Sequence, residues 1–447
     1  MSSQNNNLPE SFKMTEIGLI PLEWELVKLG AIASARGGVG FPPDYQGKQR
    51  GKYPFYKVSD MNLLGNERFM RQANNYVEED IVSSLRAKPF PPDTVIFPKV
   101  GAAVHTNKKR ILTSDALVDN NVMGIIISDK NRCIPEYLLC WFESVDIGEF
   151  SNPGPLPSIN AHSVKDRLIP LPPLPEQKAI ARVLSTIQKA IETQDKIIAA
   201  ARELKKSLMR HLFTYGPVPV SEAENVPIKE TEIGPVPENW EQKELGALCD
   251  ITYGVQAAVA NLTDSSIGIP ILTNINIRNE GMIDISTLRY YPLPDNKRER
   301  LILKRGDVLF NWRSGSPQHV GKSAIFELEG EYTFSSFILR FRANVDTISN
   351  EYLFRYLNFL KGIGFFTEKR SQSSVNSVFN ASLAAKIPVL LPTLLDQVSI
   401  VVALRSADKK LDIEENRKAV LQSLFKTMLH HLMTGKVRVN HLEAEVS

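Results

Sequence analysis

Along this chain the spacing of apolar positions changes character twice, each time in the same way. From Glu176 to Phe213 apolar residues recur at Ile180, Leu184, Ile187, Ile191, Ile198, Ala201, Leu208 and Leu212, with Gln194 as the one polar member of the row. Steps of four and three residues make a heptad seam, which predicts a long helix that wants a partner helix. Pro175 stands just before it, where proline is tolerated, and Gly216 with the PVPV stretch ends it. The seam returns at Ile400, Leu404, Ala407, Leu411, Leu421, Met428 and Leu432, ahead of Gly435. Each helix would span roughly 38 residues, hence about 55 Å at 1.5 Å rise per residue. Neither can bury its stripe alone. The economical expectation is that the two pair antiparallel within the chain; the alternative is that each packs onto its own domain.

Ahead of each seam the pattern is that of short strands. Val95–Phe97, Val122–Ile127, Val308–Phe310 and Phe337–Phe341 are β-prone runs separated by Gly, Pro, Asn and Asp clusters such as ARGGVGFPPD at 35–44. EYLLCWFES and EYLFRYLNF are short helical candidates. The mixture predicts an α+β fold, with a strand-rich domain of about 160 residues before each long helix.

The two halves are copies. TEIGLIPLEWELVKLGAIA at 15–33 and TEIGPVPENWEQKELGALC at 231–249 align without a gap at an offset of 216 residues. YPFYKVSDMN at 53–62 aligns with IPILTNINIR at 269–278, and PPDTVIF at 91–97 with KRGDVLF at 304–310, setting Asp93 against Asp307. PEYLLCWF at 135–142 matches NEYLFRYL at 350–357, and by Pro172/Pro392, Leu174/Leu394 and Gln177/Gln397 the offset has become 220. A repeat this long means two homologous domains rather than a solenoid. The expected organisation is a polar tail at 1–14, domains at 15–172 and 231–391, helical spacers at 173–216 and 392–435, a linker at 217–230 and a C-terminal tail at 436–447.

Composition adds bounds. The chain has 447 residues, 43% hydrophobic and 23% charged, as expected of several globular domains with real cores. No run approaches the roughly 18 apolar residues of a membrane span. The Asn-rich start has no basic-then-apolar order, so no secretory signal is expected and the cytoplasm is the default. Cys133, Cys140 and Cys249 lack metal spacing and are expected to be reduced. Net charge is only +3, which neither demands nor excludes nucleic acid, but basic residues cluster locally, as at Lys297, Arg298, Arg300, Lys304 and Arg305.

Catalytic signatures are missing. There is no N-P-P-Y methyltransferase motif and no phosphate-binding G-x-x-x-x-G-K-S/T loop, and GGVG at 37–40 lacks a helix-opening context. His430 and His431 are expected on different helix faces, unable to share a metal. Trp24 and Trp240, repeated with the framework, read as core anchors.

Together these features resemble the DNA-specificity subunits of type I restriction–modification systems. The residues that carry the resemblance are the IG-x-I/V-P-x-x-W-E openings (Ile17 to Glu25, Ile233 to Glu241), LPPLPEQ at 171–177, and KKSLMRHL at 205–212. LLPTLLDQ at 390–397 is a looser second version, with Asp396 where the first has Glu176. The resemblance implies two target recognition domains, each reading half of a bipartite double-stranded DNA site, held apart by the antiparallel helices with pseudo-twofold symmetry. It implies a non-catalytic chain that docks two methyltransferase subunits and, through them, translocase–nuclease subunits. S-adenosylmethionine, ATP and Mg would sit in those partners, with no cofactor in this chain. Two other readings stay open: a coiled-coil adaptor that does not read DNA, and a subunit serving a methyltransferase without a nuclease.

Phosphate contacts call for Lys and Arg, and base edges for Arg, Lys, Asn and Gln. In the first domain the candidates are Arg36, Lys57, Lys99, His105, Asn107, Lys108, Lys109 and Arg110. In the second they are Arg278, Asn311, Arg313, Gln318, His319 and Lys322, with Lys369, Arg370 and Gln372 as a further group. No metal ligand set is expected.

Overall fold

The two heptad rows become the two longest elements, a central helix Leu174–Tyr215 and a distal helix Leu394–Met433. They belong to a computed structural model that describes residues 11–152, 156–256, 268–278, 281–368, 371–372 and 377–439. The chain divides into two units, Met1–Asp195 with Asn416–Ser447, and Lys196–Glu415. Each helix therefore contributes one segment to each unit. In the first unit Ile180 and Leu184 share a core with Leu429 and Leu432, while Asp195 binds Lys418 at 2.5 Å, so the segments run antiparallel. In the second, Leu212 shares a core with Ile400 and Leu404, while Lys205 reaches Asp408 at 2.5 Å and Arg202 reaches Glu415 at 2.6 Å. The seam positions Ile191, Ile198 and Leu411 are buried too; Ile187, Ala201, Leu208, Ala407, Leu421 and Met428 are half-buried. Gln194 has a polar counterpart that the pattern did not announce: Glu414, buried between Leu411 and Leu421 and paired with Lys410 at 2.7 Å.

The start of each long helix is tied to its own domain by the same hydrogen bonds. Gln177 is fully buried, accepts from Ile134 N and donates to the carbonyls of Arg132 and Pro172. Gln397, equally buried, accepts from Ser349 N and donates to the carbonyls of Thr347 and Pro392. A buried amide can satisfy itself only with a fixed set of partners, so this repeated set locks the angle between helix and domain. Beside it the Tyr137 hydroxyl donates to Pro170 O at 2.5 Å and the Tyr352 hydroxyl to Leu390 O at 2.8 Å. Strand Leu168–Leu171 pairs antiparallel with Glu25–Lys28, and Pro388–Leu391 with Glu241–Glu244.

Each domain is a mixed α+β body. In the first, a five-stranded sheet has the order Ala33–Gly37, Val122–Ile127, Val95–Pro98, Arg110–Leu112, Phe69–Met70. In the second, a four-stranded sheet has the order Cys249–Tyr253, Ile338–Ala343, Val308–Asn311, Ser323–Ile325. Helices Pro135–Ser144 and Asn350–Gly362 bury their apolar faces in the respective cores. Gly38 and Gly254 mark one shared constraint: a Cβ at either would lie 2.1–2.3 Å from the carbonyl oxygens of Val118 and Asp119, or of Phe334 and Ser335. Only glycine allows that approach.

Several sequence expectations shift. Strand Val95–Pro98 matches Val308–Asn311 residue for residue, which sets Thr94, not Asp93, against Asp307. Asp93 instead matches Gly306, and both have positive φ, 70° and 91°. Part of the expected N-terminal tail is strand, since Phe12–Thr15 pairs with Gly18–Pro21. Likewise the expected linker contains the turn Val220–Asn225 and strand Ile228–Thr231, which pairs with Gly234–Pro237. Residues 436–439 are no solvated tail: Val439 is buried and Arg438 binds Glu176 and Glu23. All three cysteines are free thiols, each pushed up to about 12 by burial. Among the described residues no helix is long and apolar enough to cross a membrane.

Because three polar groups lose their partner in each case, Gln177→Ala and Gln397→Ala should each destabilise the fold by roughly 2–3 kcal/mol. Urea denaturation checks this, and a cost near zero at either site would show that the helix start is not locked by its glutamine.

Candidate nucleic-acid interface

Placement sorts the basic and amide side chains of the first domain into two kinds. Arg36, on strand Ala33–Gly37, donates to Lys88 O and Pro89 O at 2.7 Å, and its guanidinium lies 3.7 Å above the Phe90 ring. Asn107, in the left-handed region at φ 53°, accepts from Lys109 Nζ and Ile147 N. Lys109 is 5% exposed, donates also to Val145 O, and burial pulls its ammonium down to about 8. Arg110 donates to the carbonyls of Lys109 and Met61, and burial lowers it as well. These four bind the domain to itself. Lys57 donates to Gln46 and Lys108 to Asn62, while His105 is exposed in the turn Gly101–Thr106. Lys99 differs: it is half-buried and pairs with no described side chain. Its ammonium lies over Gly37 so closely that a Cβ there would come within 2.9 Å.

In the second domain Arg278 is held by Asp284, and Asn311 is fully buried, donating to His319 O at 2.9 Å. Gln318 and His319 are exposed in the turn that follows. Lys322 is 9% exposed, with no ion-pair partner among the described residues. Burial and then the charge of Arg278 lower it. Lys361, on helix Asn350–Gly362 and absent from the sequence candidates, is lowered by burial and then by Lys322. His319 is lowered by burial, then by Lys322 and Lys361. This is a cationic corner assembled from a turn and a helix far apart in sequence. Lys369 and Arg370 lie outside the described residues; Gln372 is in strand Ser371–Gln372, and its side chain lies outside the description too.

Arg313 opens the short strand Arg313–Ser314, one residue beyond strand Val308–Asn311. Its guanidinium sits 5.7 Å from the Phe337 ring centroid and its buried Nε has no partner. Next to it Trp312 donates its indole N–H to Ser336 O at 2.7 Å and meets Tyr253 edge-on, with centroids 5.2 Å apart. The order N-W-R after a strand was the available sequence signal for this spot. Among the described residues no three His, Cys, Asp or Glu side chains converge as a metal site.

Val100 bridges Ser158 in the first domain as Arg313 pairs with Val378 in the second. Val39 bridges Asp119 as Val255 bridges Ser335. On this common framework Gly37 and Lys99 in one domain stand where Tyr253 and Trp312 stand in the other. The duplicated framework thus carries unlike polar and aromatic groups at matched places.

Comparison with known proteins agrees. The Type I restriction modification DNA specificity domain matches residues 21–202 and again 237–423, and the chain belongs to that family. It is thus a type I restriction–modification specificity subunit, a non-catalytic component of such an enzyme. Among curated relatives, a candidate MjaX specificity subunit of Methanocaldococcus jannaschii is 26% identical over 446 residues, 96% of this chain and 97% of that protein. The type I restriction enzyme MjaVIII specificity subunit of the same organism is 24% identical over 454 residues, 97% of each. The fold resembles a type I restriction–modification S subunit from M. genitalium, with TM-score 0.53, 15% identity, and 96% and 98% of the two chains covered. It also resembles a chain from a study of complex assembly and conformational transition in the type I system, with TM-score 0.56, 17% identity, and 94% and 99% covered.

Lys109 gives a test that separates interior from surface cations. Its ammonium is lowered in the folded state from 10.5 to about 8. Between those values the unfolded chain binds more protons, so stability should rise with pH from 8 to 10.5. Lys109→Met should flatten that rise while leaving the salt dependence of DNA binding unchanged. Loss of a phosphate contact would reduce the slope by about 0.9 instead.

Proposed function

We propose that this chain reads a bipartite double-stranded DNA sequence, one half with each domain, and serves as the platform on which methyltransferase subunits assemble. The observation that carries the reading is the pairing of one framework with two different sets of polar and aromatic groups at matched positions. Two readers that share a fold and differ in surface would recognise two different half-sites. The long helices run from one unit into the other, which suits them to act as a ruler. Half-sites about one turn, near 34 Å, apart present the same face of the duplex.

Partner docking fits the outer face of the distal helix, where Leu395, Val398 and Val402 are more than half exposed. The matched central-helix positions are Pro175, Lys178 and Arg182, so the two faces offer a partner different chemistry. On this reading two methyltransferase subunits bring S-adenosylmethionine. Translocase–nuclease subunits, where present, bring ATP and Mg, and this chain holds none of them. A subunit serving methylation alone would look the same, and methylation without restriction in cells would identify it. An adaptor that does not read DNA would show no salt-dependent binding of duplex DNA by the purified chain.

The ruler can be lengthened. Adding one heptad to both helices at matched seam positions should add about 10 Å, or about three base pairs, to the spacer. Both half-sequences should remain as before. Methylome sequencing of cells carrying the variant reads this directly, and an unchanged spacer with altered half-sequences would refute the division of labour between helices and domains.

A further inference from the structure

The second unit contains an open cleft of about 540 Å³ beside strand Cys249–Tyr253, within the size range of small-ligand sites. Aromatic side chains form much of its wall: Tyr253, Trp312, Phe337 and Tyr291. Lys297, Arg300 and Arg313 supply positive charge, and among the described residues no aspartate or glutamate lines it. Those cations are uncommitted. Lys297 and Arg300 are exposed with no ion-pair partner among the described residues, whereas their neighbour Arg298 is taken by Glu331. The Arg313 guanidinium makes no hydrogen bond to the described residues, and its Nε is buried. Trp312 is fixed by its bond to Ser336 O, so the aromatic wall is preformed.

A site whose described lining has aromatic surface, three cations without an ion-pair partner and no carboxylate suits a ligand that is planar and anionic, and a nucleotide is both. Nothing in the shared framework demands such a site. In the first domain the matched positions are Gly37, Lys99 and Val100, which keep one cation and remove the aromatic wall. We propose that the cleft takes one nucleotide of the second half-site. Its base lies against Trp312 and Tyr253, its phosphate meets Lys297 and Arg300, and Arg313 supplies donors to a base edge. The first domain contacts the matched place in its own half-site through Lys99 without stacking. This inference rests on the DNA-reading function above and adds the place and chemistry of one contact.

Tryptophan emission tests it in the full-length chain. Of four tryptophans, Trp24, Trp141 and Trp240 are at most 4% exposed, so acrylamide quenching reports mainly Trp312. Saturating cognate duplex, its sequence taken from the methylome, should reduce that quenching at least two-fold. A duplex with only the second half-site scrambled should protect less. The double change Lys297→Ala and Arg300→Ala should weaken binding about evenly across sequences and lower the salt slope by about two. Arg313→Ala should reduce discrimination at one base pair of the second half-site by roughly ten- to a hundred-fold and leave the first half-site unchanged. Trp312 itself is left intact because its indole bond supports the local fold. If fluorescence anisotropy shows duplex binding while Trp312 stays fully quenchable, or if Arg313→Ala alters the first half-site, the cleft assignment is overturned and the DNA-reading function stands. Protection by free deoxynucleoside monophosphates but not by duplex would assign the cleft to a free nucleotide and overturn the DNA contact. No duplex binding at all would overturn both.

Discussion

The structure depends on an apolar stripe that no single helix can hide. The central and distal helices each carry one, and each helix contributes a segment to both units. The result is that both units contain two antiparallel helix segments, with Ile180 and Leu184 against Leu429 and Leu432 in one core, and Leu212 with Ile400 and Leu404 in the other. Burying such stripes is worth roughly 1.5–3 kcal/mol per large side chain, far more than the ion pairs along the exposed edges, whose worth is about 0–1 kcal/mol each.

From that seam the order passes outward through polar groups that have one way to be satisfied. Gln177 and Gln397 repeat the same hydrogen bonds at the helix starts, and Tyr137 and Tyr352 tie the short domain helices to the neighbouring strand. One side of the plan departs. Glu176 is buried, accepts from the Trp24 indole at 2.8 Å and binds Arg438. The matched Asp396 is one methylene shorter and accepts from Thr393 at its own helix start. The looser second motif therefore keeps a cap at its helix start but loses the buried charge network.

The matched positions at the ends of the sheet strands follow a different logic. Their framework is fixed by backbone approach, as at Gly38 and Gly254, while the side chains above it vary without disturbing the sheet. Arg313, Trp312 and Tyr253 in one domain, and Lys99 over Gly37 in the other, occupy the same scaffold with different chemistry. That separation lets the side chains differ while the fold stays constant.

By itself the sequence determined the duplication, the two long helices and the α+β character of the domains, because periodic apolar positions and a dense repeat are local, one-dimensional signals. Only the tertiary structure decided which cations are interior and which face outward. Arg36, Asn107, Lys109 and Arg110 look in sequence like a DNA-contacting set, yet Lys109 is buried and the other three are half-buried, bonded to the first domain's own backbone and side chains. Lys361 and Lys322 come together only because a helix packs beside a distant turn. The aromatic wall of Tyr253, Trp312 and Phe337 likewise draws on three separate segments. Periodicity records which face of an element is buried, but the convergence of polar groups depends on contacts between residues distant in the chain, and these exist only once the sheets and helices have packed.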